Sequence, residues 1–216
     1  MEWECLKFEL FSPCATFKTP FSFKGIETYP LPPYSTIIGL LYTATGRKWE
    51  GENFKLSVQG EYESIFRDLI WFRKYNRKHK KLESLPLEVP RLYNLRCVIH
   101  VLGEKELIEE FEKALQRPKV YLFLGGGEYP VLVKNPRKVK VEEREVQLKT
   151  KYPAFVPESK SQFFIIPTEG ISFRLPSFYE KGEEKTYRWE QVYFFPKGSL
   201  VEGKLLVDEE GDVIWA

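Results

Sequence analysis

The sequence predicts an α+β chain, with a βαββαβ unit ending near residue 125 and a β-rich part after it. Two segments carry a helical apolar period, Tyr34–Gly46 and Glu104–Arg117. Aromatics make up 16% of the chain and fall in β-like runs such as Tyr187–Phe195. After Asn135 no helical period returns.

Taken in order, Trp3–Phe11 alternates without a helical period and reads as the first strand. The proline-rich stretch from Pro13 to Pro33 cannot be helical. In the first helix Ile37, Ile38, Leu41 and Ala44 share a face, Ser35 or Thr36 can cap the start, and Gly46 can end it. Gly39 in mid-helix suggests close backbone approach. Phe54–Glu61 reads as a strand, Ile65–Tyr75 suits strand or helix, and Tyr93–Leu102 reads as a strand. In the second helix Leu107, Ile108, Phe111 and Leu115 line one face, and Pro118 stops it. Val120–Leu124 is an apolar run that reads as the closing strand, and a further strand begins at Tyr129–Val133. This order is that of the ferredoxin-like fold, also used by RNA-recognition modules. Further strands are expected at 139–148, 162–166, 171–175, 187–195, 200–207 and 212–215. The domain reading is 1–135 for the first unit and 136–216 for the second, sharing an interface.

At 216 residues, with 43% hydrophobic and 30% charged content, the chain can bury a sizeable core. No segment approaches the ~20 apolar residues of a membrane span, and the acidic N-terminus lacks a signal-peptide pattern. Three dispersed cysteines without CxxC spacing argue for reduced thiols, hence a cytoplasmic protein, and against a zinc site. Glutamate-rich charge with a single Met leans towards a thermophile. Net charge is only +2, so placement of charge matters more than its sum.

The densest charge lies at Arg73, Lys74, Arg77, Lys78, His79, Lys80 and Lys81, six Lys or Arg in nine positions with no acid. Such a run suits a phosphate backbone, and equally a solvated loop. A second group sets Lys18, Lys24, Arg47 and Lys48 among Phe17, Phe21, Phe23 and Tyr29, where cations could hold a backbone and aromatics stack bases. Phenylalanines in a proline-rich loop more often pin it to the core. Gly125, Gly126 and Gly127 could turn their N–H groups towards an anion or form a tight turn. Catalytic signals are sparse: the two histidines are His79 and His100, and no nucleophile elbow, HExxH or dinucleotide fingerprint occurs. No cofactor and no metal are expected.

Three separated motifs carry a resemblance. They are Glu27–Gly46 with its Tyr-Pro-Leu-Pro-Pro lead into the helix, Pro90–Arg96, and Pro118–Pro130 with its glycines. They resemble the CRISPR-associated protein five family of the RAMP superfamily. The resemblance implies a subunit of type I, Cascade-like surveillance complexes that caps the 5′ handle of the CRISPR RNA. It implies docking beside a backbone RAMP subunit and the large subunit, and only indirect contact with target DNA. It also implies a thumb inserted in the ferredoxin-like core, for which 62–91 is the candidate. One branch of such proteins cleaves precursor RNA with tyrosine, lysine and histidine, but Lys78-His79 does not match the core position. Many members carry arginines where this chain has Gly126 and Gly127. The expectation is therefore a non-catalytic RNA-binding subunit. The rivals are a metal-independent endoribonuclease and an assembly protein with little RNA contact.

Overall fold

The computed structural model describes residues 3–20, 22, 26–125, 128–180 and 186–216. It is a mixed α+β structure dominated by antiparallel sheet. The elements are β1 (Trp3–Ala15), α1 (Tyr34–Thr45), β2 (Lys55–Glu61), β3 (Ser64–Asn76), β4 (Lys81–Glu104), α2 (Lys105–Gln116), β5 (Leu132–Val139), β6 (Val141–Lys149), β7 (Ala154–Pro157), β8 (Ile171–Glu180), β9 (Thr186–Phe195) and β10 (Leu200–Asp208).

Seven strands lie in the order β5-β1-β4-β2-β7-β9-β8, β3 pairs with the projecting half of β4, and β10 and β6 form a separate pair. The position that divides the chain in the sequence, residue 135, lies within β5. The large sheet then runs on through β7, β9 and β8 without a break in pairing from β2.

Alternation along β1 sets the two faces. Leu6, Phe8 and Leu10 point into the main core with Ile37, Leu41, Ile108 and Phe111 of the two helices. Lys7 points the other way, and register places it opposite His100, which in turn lies opposite Ser57. That outer face is covered by segment 208–216. Gln59 Nε2 donates to the Val213 carbonyl at 2.7 Å and the Trp215 N–H donates to Ser57 Oγ at 3.0 Å. Lys7 Nζ is bound by Asp208 at 2.6 Å, Glu210 at 2.7 Å and Asp212 at 2.6 Å, with His100 Nε2 3.1 Å from Asp208.

Several elements depart from the sequence reading. The run 120–124 is no strand: Phe123 makes one bridge, to Pro130, and the strand beside β1 is β5. Segment 158–163 is a 3-10 turn in place of part of a strand, and Phe164 makes only a bridge to Val201. Segment 212–215 contributes one bridge, Val207 to Val213. Pro33 stands at the N-cap of α1 without a side-chain bond, so neither Ser35 nor Thr36 caps it. Gly46 does end it, at φ 71°. A Cβ at Gly39 would meet nothing within 4 Å, so no backbone crowds that helix. No helix is long and apolar enough to cross a membrane among the described residues.

Candidate nucleic-acid interface

The segment Ile65–Tyr75, ambiguous in sequence, is strand, and β3 pairs with the first half of β4 from Ser64↔Tyr93 to Asn76↔Lys81. Twelve residue steps at ~3.3 Å carry this hairpin about 40 Å. Beyond its base both faces stand in solvent. Cross-strand neighbours share a face, so Trp71 with Pro86 and Tyr75 with Leu82 lie on one side. Ile70 with Leu87 and Phe72 with Leu85 lie on the other. Leu69, Trp71 and Leu82 are 65%, 66% and 64% exposed, and with their neighbours on the hairpin they expose apolar surface as a group rather than singly. A two-stranded ribbon of this kind is marginal alone in water.

At the far end the chain turns through 77–80. Asn76 Oδ1 accepts the N–H groups of Lys78 and His79 at 3.1 and 3.2 Å, and Lys80 takes φ 48°. Arg73, Lys74, Arg77, Lys78, His79, Lys80 and Lys81 are all exposed, and no ion pair holds any of them among the described residues. The basic run is thus a fixed hairpin end with its cations free.

At the hairpin base three segments meet. Arg91 Nε donates to Asp68 Oδ2 at 2.8 Å, and its Nη1 donates to the Tyr129 hydroxyl at 2.5 Å, with the guanidinium 5.2 Å from that ring's centre. Thr16 Oγ1 donates to the Pro90 carbonyl at 2.7 Å. Gly125 holds φ 85°, and a Cβ there would come within 2.7 Å of the Thr16 carbonyl. Hairpin base, loop and glycine segment therefore form one junction. Gly125→Ala combines a strained φ with that clash, and we expect a loss of roughly 2 kcal/mol, read as a lower urea midpoint. Arg91, Asp68, Thr16 and Tyr129 were not singled out in the sequence, although Arg91 and Tyr129 sit inside the quoted motifs. Their meeting depends on pairing across 38 residues.

The loop cations divide. Lys18 is exposed beside the bridge to Thr28. Tyr29 is 3% exposed and its hydroxyl donates to the Arg174 carbonyl at 2.7 Å, so its ring belongs to the core and offers no free stacking face. Phe17 is likewise buried. Lys24, Phe21, Phe23, Gly126 and Gly127 lie outside the described residues. Lys48 is exposed, but Arg47 is engaged. Its Nε and Nη2 donate to the two carboxylate oxygens of Glu110 at 2.7 and 2.8 Å, and Nη1 donates to Glu52 at 2.5 Å. This fork lifts the Arg47 pKa above its ordinary value and holds Glu110 below its own. Arg47 is a structural clamp rather than a free phosphate contact. Both residues follow the C-terminal end of α1, a helix length (~18 Å) from its proline-led start.

Among the described residues, the carboxylates close enough to share a metal are those of Asp208, Glu210 and Asp212. The Lys7 ammonium stands among them.

Comparison with known proteins fixes the family. The model of the CRISPR-associated protein Cas5 family matches residues 5–199. The chain belongs to that family. A chain of a CRISPR RNA-guided surveillance complex is similar at 14% identity, covering 90% of this chain and 91% of that one, with a TM-score of 0.57. A CRISPR protein from Archaeoglobus fulgidus is similar at 15% identity over 98% and 97%, with a TM-score of 0.52. A chain of the Type III-B Cmr-beta complex bound to cognate target RNA and AMPPnP aligns at 10% identity over 90% and 86%, with a TM-score of 0.51. At such identities these likenesses speak for the fold. No curated protein sequence matches this Cas5 chain.

Proposed function

We propose that this Cas5 protein is a non-catalytic, RNA-binding subunit of a type I CRISPR surveillance complex, capping the 5′ handle of the CRISPR RNA and seeding assembly. The observation that carries this is the hairpin end, where seven basic side chains from Arg73 to Lys81 stand in solvent on a paired two-stranded arm. Free cations at fixed spacing bind phosphates and contribute affinity with little base specificity. The strand order β5-β1-β4-β2, all antiparallel with both helices on one face, supports reading the first unit as ferredoxin-like. The hairpin is then the thumb. Its apolar flanks, Trp71 and Leu69 on one side and Phe72 and Leu85 on the other, suit a neighbouring backbone or large subunit. Gly125 and the exposed Lys18 would meet RNA at the thumb base.

The test is binding of the purified chain to a repeat-derived handle RNA and to a scrambled RNA, in EDTA at two salt concentrations. Salt-sensitive preference for the handle with intact RNA supports the capping role. Equal, salt-independent binding of both RNAs counts against it, and cut RNA favours the nuclease reading. His79 lies on the exposed turn with no acid or base held against it among the described residues, a poor site for general acid–base work. His79→Ala is accordingly expected to leave RNA processing unchanged, checked by gel in a single-chain assay.

A further inference from the structure

The large sheet is joined across its middle by a short strand. Strand β7 is four residues long and meets β2 only at Val58↔Phe155 and Gln59↔Ala154, whereas it follows β9 down to Pro157↔Val192. Beyond Pro157 the pairing of β7 with β2 is not continued among the described residues, and residues of α1, β2, β8 and β9 surround the gap. The result is a cavity of about 220 Å³. Crevices where strands part are common ligand sites.

The lining has a definite chemistry. Phe54 and Phe178 stand edge to face at 5.1 Å. Tyr34 rises from the first turn of α1, 3% exposed, and its hydroxyl is buried with no hydrogen-bond partner. Such an orphan costs roughly 1–3 kcal/mol unless something in the cavity meets it. Lys55 on β2 and Glu190 on β9 line the slot from opposite strands. Among the described residues neither has an ion-pair partner, although the chain pairs many of its other charges.

Size and chemistry narrow the occupant. The volume is below the ~300 Å³ at which sites for drug-sized ligands begin, so one ring system fits. A hydrocarbon would leave the buried Tyr34 hydroxyl unmet, and the exposed Glu190 carboxylate adds an acceptor at the mouth of the slot. A planar ring with its own N–H donors would use all of them. We propose that this slot holds a single amino-bearing nucleobase, guanine above the others, against the wall formed by Phe54 and Phe178, with Glu190 accepting from its N–H edge and Lys55 meeting the attached phosphate. Guanine offers two adjacent N–H donors to one carboxylate. Uracil would turn a carbonyl oxygen beside its one N–H towards Glu190. The slot lies away from the thumb and its junction, and the inference stands on the slot alone.

The test titrates the full chain with guanosine and uridine 5′-monophosphates, followed by calorimetry and by shifts of aromatic resonances. GMP is expected to saturate and UMP to bind at least about tenfold more weakly. Glu190→Gln should narrow that gap, Lys55→Gln should weaken both nucleotides, and Tyr34→Phe should weaken both without lowering the melting temperature. No saturation by either nucleotide at millimolar concentration, or equal binding of the two, overturns the proposal. The source of the base is read separately. If Glu190→Gln also weakens single-stranded RNA, the base belongs to a bound strand; if RNA is unaffected while GMP still binds wild type, it belongs to a free nucleotide. Loss of handle recognition in the earlier assay would leave the mononucleotide titration untouched, so the two ideas fail separately.

Discussion

Replacing Lys7 with methionine is expected to lower stability by about 3–5 kcal/mol, seen as a fall in melting temperature of roughly 10 °C or more. Lys7 is 2% exposed, and its ammonium is the shared partner of Asp208, Glu210 and Asp212. Arg137 also pairs with Glu210, and Lys151 with Asp212, so those two acids keep some compensation. Asp208, with its side chain fully buried, keeps among the described residues only His100 and backbone donors from Glu210 and Asp212. An uncompensated buried carboxylate is what makes breaking such a cluster costly. The turn 208–212 would lose its anchor, and with it the cover over the outer face of β1, β4 and β2.

The same cluster gives a signed pH dependence. Burial alone would raise the Asp208 pKa, but hydrogen bonds from His100, Lys7 and the backbone outweigh it and hold the group below its ordinary 3.8. Its stabilisation is therefore present above that value and lost as pH falls through the depressed one. Burial opposes the charge on Lys7, yet its three acids hold its pKa above the ordinary 10.5. That contribution is present below 10.5 and lost as pH rises through the elevated value. Urea midpoints across pH should show both limbs in the wild type. Lys7→Met should shrink both limbs, while buried groups such as Cys5 and Tyr34, whose pKa values burial raises, keep part of the alkaline one; unchanged limbs would rule out Lys7 as a source.

Why this cluster escaped sequence reading, while both helices did not, is a matter of range. The helices are written in local spacing, Leu107 to Leu115 and Ile37 to Ala44, and local spacing survives in any tertiary setting. Lys7 and Asp208 are 201 residues apart, and nothing local ties them. Strand β5 shows the opposite failure. Its sequence, with Lys134, Pro136, Arg137 and Lys138, looks unlike a strand, but it is an edge strand, where charge and proline are tolerated and discourage further pairing. The apolar run beside it, Val120–Leu124, looks like a strand and is not one. There Leu122 and Leu124 point inward while Tyr121 is 91% exposed, without a ladder. For the candidate interface, the basic run was legible as a run. Its place at the end of a long hairpin was not, because that comes from thirteen cross-strand pairs. Burial of Tyr29 and engagement of Arg47 also depend on distant partners, Arg174 and Glu110.

The basic end of the paired arm makes a sharp expectation for RNA. Lys78, Lys80 and Lys81 cluster at the hairpin end, each exposed and each without an acid against it among the described residues. If each meets one phosphate, each contributes roughly 1 kcal/mol and a share of counterion release. The triple alanine variant should then bind single-stranded handle RNA about a hundredfold more weakly near physiological salt. The slope of log affinity against log salt should flatten by about 2. Folding stability should move by less than about 0.5 kcal/mol, since the side chains touch little of the protein. Arginine replacements at the same positions keep the charge and should restore most of the affinity. A paired change on the stem, Leu69→Ser with Trp71→Ser, should have the reverse profile, leaving RNA affinity and its salt slope nearly constant while weakening association with a protein neighbour. Those residues carry the apolar surface and no charge, so the two variants separate what the arm does for RNA from what it does for assembly. An unchanged slope in the triple alanine variant would place the RNA elsewhere on the molecule, and the basic arm would then be a solvated tip on a protein-docking stem.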